Sequence, residues 1–480
     1  MSAPTIFARA TPPGRSAVAI VRVSGGRAGE ALRALGGSLP VPRQATLRTL
    51  RDPQSGEALD RALVLWMPGP GTATGEDACE LHLHGGRAVV AAVLEALGRL
   101  PGLRPAEPGE FARRAFLSGK LDLAAAEGLA ALIEAETAAQ RRQALRQADG
   151  YLGRAVEAWR DRMIELRALA EAAIDFSDEE DVGDPSAGLR GAIAGLAAEI
   201  GAALSGAAAG ERLRDGVTVV VAGRPNAGKS SLLNRLAGRD VAIVTDVPGT
   251  TRDLIEVQLD LSGLPVTLVD TAGLRETEDV VEREGVERAR RRAASADLVL
   301  WVTDSRAPDA PEEGELPPGT PVWVLANKLD LLAGSAHPSR PVDAVIARSV
   351  SDEAILLRGA KEEAGLIRCA RDDEARHIGK ERTLAISCAT GEGLSALLAA
   401  LEERLPEMLS GGETALVAEA RQRHALEDAA TALAAAEQER EAELLAENLR
   451  RATDTLGRIT GRIDVEQVLD HVFSRFCIGK

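Results

Sequence analysis

The sequence predicts a multidomain α/β protein: an α+β N-terminal domain, a discontinuous helical domain made of two chain segments, and an α/β unit with a phosphate-binding loop inserted between those segments. Three observations predict it. A Gly-rich phosphate loop lies in mid-chain between an apolar β-like run and a helical run. Ala-, Leu-, Glu- and Arg-rich helical composition flanks that unit on both sides. Residues 1–118 instead alternate short β-like runs with helical segments, broken by Pro/Gly clusters.

In the N-terminal part, Ser16–Val23, Leu63–Met67 and Ala78–His84 read as strands and Ala88–Leu100 as a helix. From Asp122 the character changes. Residues 122–175 hold almost no Gly or Pro and read as long helices, and 189–214 continue the pattern. The same composition returns after Pro406. Insertion at an exposed tip is tolerated, so the boundaries expected are 1–119, then 120–215 with 406–480 as one helical domain, with 216–405 inserted. Residues 331–382 separate Asp330 from the next strand by about fifty residues, well beyond a normal connection, and read as a partly helical insertion.

Residues 223–231 read Gly-Arg-Pro-Asn-Ala-Gly-Lys-Ser-Ser, a complete Walker A loop. Val217–Val221 reads as the strand before it and Leu232–Leu236 as the helix after it. Glycines let the backbone approach phosphates, and the N–H groups of Asn226, Ala227, Gly228, Lys229, Ser230 and Ser231 cradle them at a positive helix end. Lys229 is placed to bridge the β- and γ-phosphates and Ser230 to hold Mg²⁺.

The other parts of a Ras-like P-loop G domain follow in order. Gly249-Thr-Thr-Arg-Asp253 offers Thr251 as a second oxygen for Mg²⁺. Alternation over Leu254–Leu261, a Ser-Gly-Leu-Pro turn at 262–265 and Val266–Asp270 read as a hairpin. Asp270-Thr271-Ala272-Gly273 closes it, with Asp270 as the Walker B carboxylate and the Gly273 N–H facing the γ-phosphate. Asn327-Lys328-Leu329-Asp330 follows the run Val322–Ala326. Asp330 can accept from guanine N1–H and N2–H₂, a donor pair adenine lacks, so the loop selects GTP over ATP. Ser387-Cys388-Ala389, after Thr383–Ile386, fits the last guanine-contacting loop, with Cys388 where Ala is usual.

Two positions depart from the Ras pattern. Leu274 stands where Ras-type enzymes carry the Gln that orients water. The acidic stretch Glu276–Glu284 is then either the source of a water-orienting carboxylate or a solvated loop. Asn226 either stabilises the loop or offers its side-chain carbonyl to a monovalent cation beside the phosphates, a positive charge in place of an arginine finger.

With 480 residues the chain accommodates about three domains. Its hydrophobic fraction is 45% but its aromatic fraction only 2%, so cores are built from Ala, Leu and Val. A net charge of −16 argues against general nucleic-acid affinity while leaving room for a local basic patch or a basic partner. Cys79, Cys369, Cys388 and Cys477 show no C-x-x-C spacing, which points to a reducing compartment. His82 and His84 share one strand face without a third ligand nearby and read as ordinary strand residues. No apolar run approaches the ~20 residues of a membrane span, and the N-terminus lacks a signal pattern. These features predict a cytoplasmic protein with no membrane partner.

At the C-terminus, Val465, Val468, Leu469, Val472, Phe473 and Phe476 form a helical apolar stripe, with Asp464 and Gln467 as its capping box. The stripe delivers Cys477-Ile-Gly-Lys480 at the chain end. Gly and Lys fit a prenylation box poorly. Cys477 is either a buried small hydrophobe or a functional thiol.

The motif order, the helices on both sides and the Phe-Cys-Ile-Gly-Lys end together resemble the MnmE (TrmE) family of tRNA-modification GTPases. Ala10–Arg15, Ile20–Gly25, Thr74–Asp77 through Glu80, His84–Gly86, Pro108–Phe111 and Lys120–Leu123 look like that family's N-terminal signature. The resemblance covers nearly the whole chain except about 331–382. It implies that the N-terminal domain binds tetrahydrofolate, in the 5,10-methylene or 5-formyl form, through Arg22, Glu80 and Lys120 with Lys480 nearby, and that it mediates homodimerisation. It implies a K⁺ site at Asn226, Thr245, Val247 and Thr250, of which the two threonines also line the GTP site, and it places the water-orienting carboxylate at Glu282. It further implies an FAD-dependent partner, MnmG (GidA), in a heterotetramer, and a tRNA substrate modified at C5 of the wobble uridine with a folate one-carbon unit. The competing reading is a ribosome-assembly switch GTPase without modification chemistry. Such proteins usually append a basic RNA-binding module, whereas the ends here are acidic and helical. A dynamin-like membrane GTPase would need a lipid-facing segment, which the sequence does not show.

Overall fold

The computed structural model describes residues 3–175, 186–239, 241–243, 256–270, 296–311, 319–332, 382–463, 466–474, 476 and 478–479. The chain divides into two compact units, one of residues 1–134, 144–204 and 420–480, the other of 135–143 and 205–419.

The first unit opens with a six-stranded sheet. Its strands are β1 (Thr5–Arg9), β2 (Ser16–Ser24), β3 (Thr46–Arg51), β4 (Ala58–Met67), β5 (Ala78–Gly85) and β6 (Leu103–Pro105), in the order β3-β4-β5-β2-β1-β6. Helices α1 (Ala28–Gly36) and α2 (Arg87–Gly98) cover one face, where Leu32, Leu35, Val93 and Leu97 pack against Val21, Val64 and Leu81. His82 and His84 lie on β5 as the sequence predicts, and no metal-binding cluster occurs among the described residues.

Helices α3 (Glu110–Leu117), α4 (Leu123–Glu134), α5 (Ala138–Ala148), α6 (Tyr151–Asp175) and α7 (Ser186–Ser205) follow, and α8 (Ala207–Asp215) leads into the second sheet. The sequence shows no continuous apolar run of membrane length. Taken as one helix of 28 residues, however, Gly188–Asp215 contains an 18-residue stretch of mean hydropathy 1.5, long and apolar enough by length and composition alone to cross a membrane. Alanines among the buried Leu189, Ile193, Leu196 and Ile200 raise the hydropathy of the stretch.

The second unit holds β7 (Val217–Ala222), α9 (Lys229–Ala237), β8 (Glu256–Leu261), β9 (Leu264–Asp270), β10 (Leu298–Asp304), β11 (Val322–Asn327), β12 (Arg382–Ala385) and α10 (Leu394–Met408). The sheet order is β12-β11-β10-β7-β9-β8, parallel except for the β8–β9 hairpin. Strands β7 and β10 read as near-continuous apolar runs because both faces are covered. On one face Leu232, Leu233, Leu236, Leu397 and Leu401 pack, and on the other Val220, Val269 and Trp301. The chain leaves β7 for β9 on one side and β10 on the other, so a crevice opens at the carboxyl end of β7, where open α/β sheets bind ligands.

One local expectation is corrected. The hairpin turn is the two residues Ser262 and Gly263, at φ 56° and 84°, so Leu264 and Pro265 belong to the strand. Pairing of β9 with β7 begins only at Val266, so the missing Pro265 N–H meets no partner strand on that side. Pro406 lies inside α10 and does not end it, and α8 and residues 406–419 group with the P-loop unit.

The chain closes with α11 (Ala420–Gln438), α12 (Ala442–Thr460) and α13 (Glu466–Ser474). Leu469, Val472, Phe473 and Phe476 pack with Ala112, Leu123 and Ala126, so the C-terminal stripe seals onto α3 and α4. Asp464, Gln467's proposed capping partner, lies outside the described residues. Ile478 bridges Pro108, and a Cβ on Gly479 (φ 101°) would lie 2.3 Å from the Arg9 carbonyl oxygen, so the tail is docked where only glycine fits.

Candidate nucleotide site

The loop between β7 and α9 forms one wall of an open cavity of about 1070 Å³, lined by Asn226, Gly228, Lys229, Ser230 and Ser231. Asn327, Lys328, Asp330, Cys388 and Ala389 line the same cavity. Three segments far apart in sequence thus meet at one end of the sheet.

The phosphate end is compact. Gly228 is at φ 107°, and a Cβ there would lie 2.2 Å from Asn327 Nδ2, so glycine is required. Lys229 Nζ donates to the Gly223 and Arg224 carbonyls at 2.7 and 3.0 Å. Register brings Asp270 opposite Val221. Ser230 Oγ then donates to Asp270 Oδ2 at 3.0 Å. A hydroxyl and a carboxylate facing one point are hard oxygen donors, and they fit Mg²⁺.

The base end is tied to the phosphate end. Asn327 Nδ2 donates to the Ala227 carbonyl at 2.9 Å, and its Oδ1 accepts from the Cys388 N–H at 3.1 Å. Ser387 Oγ donates to Asp330 Oδ1 at 2.5 Å. One oxygen of Asp330 is thereby fixed, and Asp330 lines the cavity. Burial pushes the Cys388 thiol up to about 11, so this departure from the usual Ala behaves as a small neutral group. Thr245, Val247, Thr250, Thr251, Thr271, Ala272, Gly273 and Glu282 lie outside the described residues.

Sequence reasoning missed Asp304. It ends β10 opposite Asn327, accepts from Lys328 Nζ at 2.8 Å, and is gripped by Arg306 Nε and Nη2 at 3.0 and 2.7 Å. Hydrogen bonds from Arg306, with Lys328 adding to them, hold its carboxyl far below the usual carboxylate range against the opposing effect of burial. No motif spacing marks this residue. Only strand register does.

Of the residues assigned to folate, two are brought together in the first sheet. Arg22 on β2 and Glu80 on β5 are cross-strand partners, paired at 3.0 Å. His82 Nε2 lies 3.3 Å from the other Glu80 oxygen, and the Arg22 guanidinium lies 5.8 Å from the Phe111 ring centroid. A cation, a carboxylate and a ring suit a flat ligand that carries both donors and an anionic end. Lys120 is exposed, and its Cε lies near Gly75. Cys477 and Lys480 are outside the described residues.

The family model described as the MnmE helical domain matches residues 123–477, and that of the GTP-binding protein TrmE N-terminus matches residues 5–120. A relative from Methylorubrum populi, named tRNA modification GTPase MnmE, is 53% identical over 99% of this chain and 98% of its own. Relatives of the same name from Methylobacterium sp. and Rhodospirillum rubrum are 51% and 50% identical, over 99% and 100% of this chain and of their own lengths respectively. Family models spanning both ends of the chain, and full-length relatives at this identity, place it in the MnmE (TrmE) family of tRNA modification GTPases.

Proposed function

We propose that this protein hydrolyses GTP as part of a tRNA-modifying complex. The complex adds a (carboxymethyl)aminomethyl-type group to C5 of the wobble uridine, with a one-carbon unit from 5,10-methylene- or 5-formyl-tetrahydrofolate. The observation that carries the reading is the single cavity that joins a Walker A loop to a carboxylate held by Ser387, at Asp330. A fixed acceptor there rewards the N1–H and N2–H₂ donors of guanine and leaves an adenine unsatisfied.

In this reading Lys229 binds the β- and γ-phosphates, while Ser230 and Thr251 hold Mg²⁺ beside Asp270. Asn226, Thr245, Val247 and Thr250 hold K⁺. When bound, the two cations offset charge that develops on the phosphates. Glu282 orients the attacking water in place of the Ras-type Gln. Arg22, Glu80, Lys120 and Lys480 bind the folate. The protein acts in the cytoplasm as a homodimer, with the FAD-dependent MnmG as partner. The Arg22–Glu80 pair supports the folate assignment because it presents both charges on one sheet face.

The test has two parts. Purified protein should retain labelled GTP in buffer with Mg²⁺ and K⁺, and mass spectrometry of tRNA from cells lacking it should show unmodified wobble uridine. Intact modification in those cells would leave the switch-GTPase alternative standing, and failure to retain GTP would end both.

A further inference from the structure

Lys328 reaches back from the base-recognition loop to the phosphate loop. Its Nζ donates to the Asn226 carbonyl at 2.8 Å and to Asp304 Oδ2 at 2.8 Å. Both ends of the first bond are unusual backbone positions. Asn226 is at φ 63° and Lys328 at φ 66°, two of four non-glycine residues with positive φ among the described residues. A side chain in that region persists only where its surroundings hold it. The holding contacts here are the bond from one such residue to the other and the carboxylate behind it.

Asp304 is well built for that task. In-register pairing with Asn327 delivers its carboxylate to the root of the loop. The Arg306 backbone N–H donates to Oδ1 at 3.0 Å, Nε to the same oxygen at 3.0 Å, and Nη2 to Oδ2 at 2.7 Å. Arg306 therefore fixes both oxygens and leaves one lone-pair direction of Oδ2 for Lys328. A lysine ammonium on its own is a mobile point charge on a flexible stem. Between a pinned carboxylate and a backbone carbonyl it becomes a strut.

We propose that Asp304, pinned by Arg306, is a positioning residue of the nucleotide site: it holds Lys328 against the Asn226 carbonyl and so keeps the phosphate loop in the conformation that the base-recognition loop requires. This deepens the reading of the cavity as a GTP site and rests on it. Asp304 acts through Lys328 and does not read the base, so its loss weakens binding and cation activation without altering base preference.

The experiment is a double-mutant cycle on the full-length chain, with fluorescent GTP analogue affinity, GTP turnover against K⁺ concentration, and the GTP-to-XTP preference as readouts. Asp304→Asn should weaken nucleotide binding about tenfold, raise the K⁺ needed for half-maximal turnover, and leave the GTP-to-XTP preference unchanged. In a Lys328→Met background the same change should have no further effect on affinity. Arg306→Gln should give a smaller loss with the same non-additivity, which keeps the test alive if Asp304→Asn folds poorly. Additive losses in the cycle, or a changed base preference in Asp304→Asn, would overturn the proposal while the GTP site stands. If the unmodified protein retains no GTP, the underlying reading fails instead, so the two failures are distinguishable.

Discussion

Ser387 Oγ donates to Asp330 Oδ1 at 2.5 Å, so the carboxylate proposed to read guanine is oriented by the residue that precedes Cys388 and Ala389 on the wall of the same cavity. Asp330→Asn exchanges an acceptor for a donor and should move preference from GTP towards XTP. Ser387→Ala keeps the acceptor but frees its rotation. Loss of a hydrogen bond to a charged group costs about 1.5–3 kcal/mol, so GTP affinity should fall roughly 10- to 100-fold without a switch in preference. Competition binding with GTP and XTP separates the two outcomes, and unchanged GTP affinity in Asp330→Asn would contradict the guanine assignment.

Turnover should depend on K⁺ and on Glu282. Asn226 is already held in the left-handed region that turns its backbone at the phosphate loop. Exchange of K⁺ for Na⁺ should suppress hydrolysis, and equal rates in the two salts would remove the cation from Asn226. Glu282→Ala should leave GTP binding near normal and lower kcat by about 10²–10³ if it orients water. A steady-state phosphate-release assay checks both.

Much of this site is legible in the sequence because its parts are contiguous. The phosphate loop, Asp270, Asn327–Asp330 and Ser387–Ala389 each stand at the end of an apolar run, and each run proves to be a strand. What escapes the sequence is what register or long-range closure creates. Asp304 looks like any acidic residue after a strand until β10 pairs with β11. Pro265 reads as part of the turn, yet it lies in a strand just before parallel pairing starts, where its missing N–H meets no partner strand on that side; Pro406 lies in the last turn of a helix, which it leaves short of one intrahelical hydrogen bond without ending it. The apolar 18-residue stretch within Gly188–Asp215 is hidden in sequence because alanines spread between charged residues carry much of it.

Thiol chemistry should separate the two described cysteines from an exposed thiol. Burial pushes Cys79 up to about 12 and Cys388 up to about 11. Only the thiolate reacts, so at pH 8 about one Cys388 in a thousand is reactive. Its alkylation rate should rise about tenfold per pH unit up to about pH 11, while Cys79, fully enclosed in the sheet–helix core, stays protected as long as the domain is folded. Because Cys388 lines the cavity, bound GTP should slow its modification. Peptide mapping after timed alkylation reads both sites, and rapid labelling of Cys388 at pH 7 would contradict the burial.

The two segments of the helical domain should depend on one buried ion pair. Glu127 on α4 is 6% exposed and accepts from Arg421 Nε and Nη2, each at 2.8 Å, and from Gln422 Nε2 at 2.7 Å. Arg421 also donates to the Arg458 and Ile459 carbonyls at the end of α12. These contacts bind residues 294 positions apart, across the inserted unit. Removing one partner of such a pair leaves the other charge uncompensated, at a cost of about 3–5 kcal/mol when both are buried. Arg421 keeps its carbonyl partners and is 26% exposed, so Glu127→Ala should cost about 3 kcal/mol, the lower end of that range. The control is Glu171→Ala, which breaks the exposed i,i+4 pair with Arg167 and should cost well under about 1 kcal/mol. Urea unfolding followed by helical circular dichroism compares them. Equal midpoints for the two variants would mean that α4 and α11 are held together by apolar packing alone.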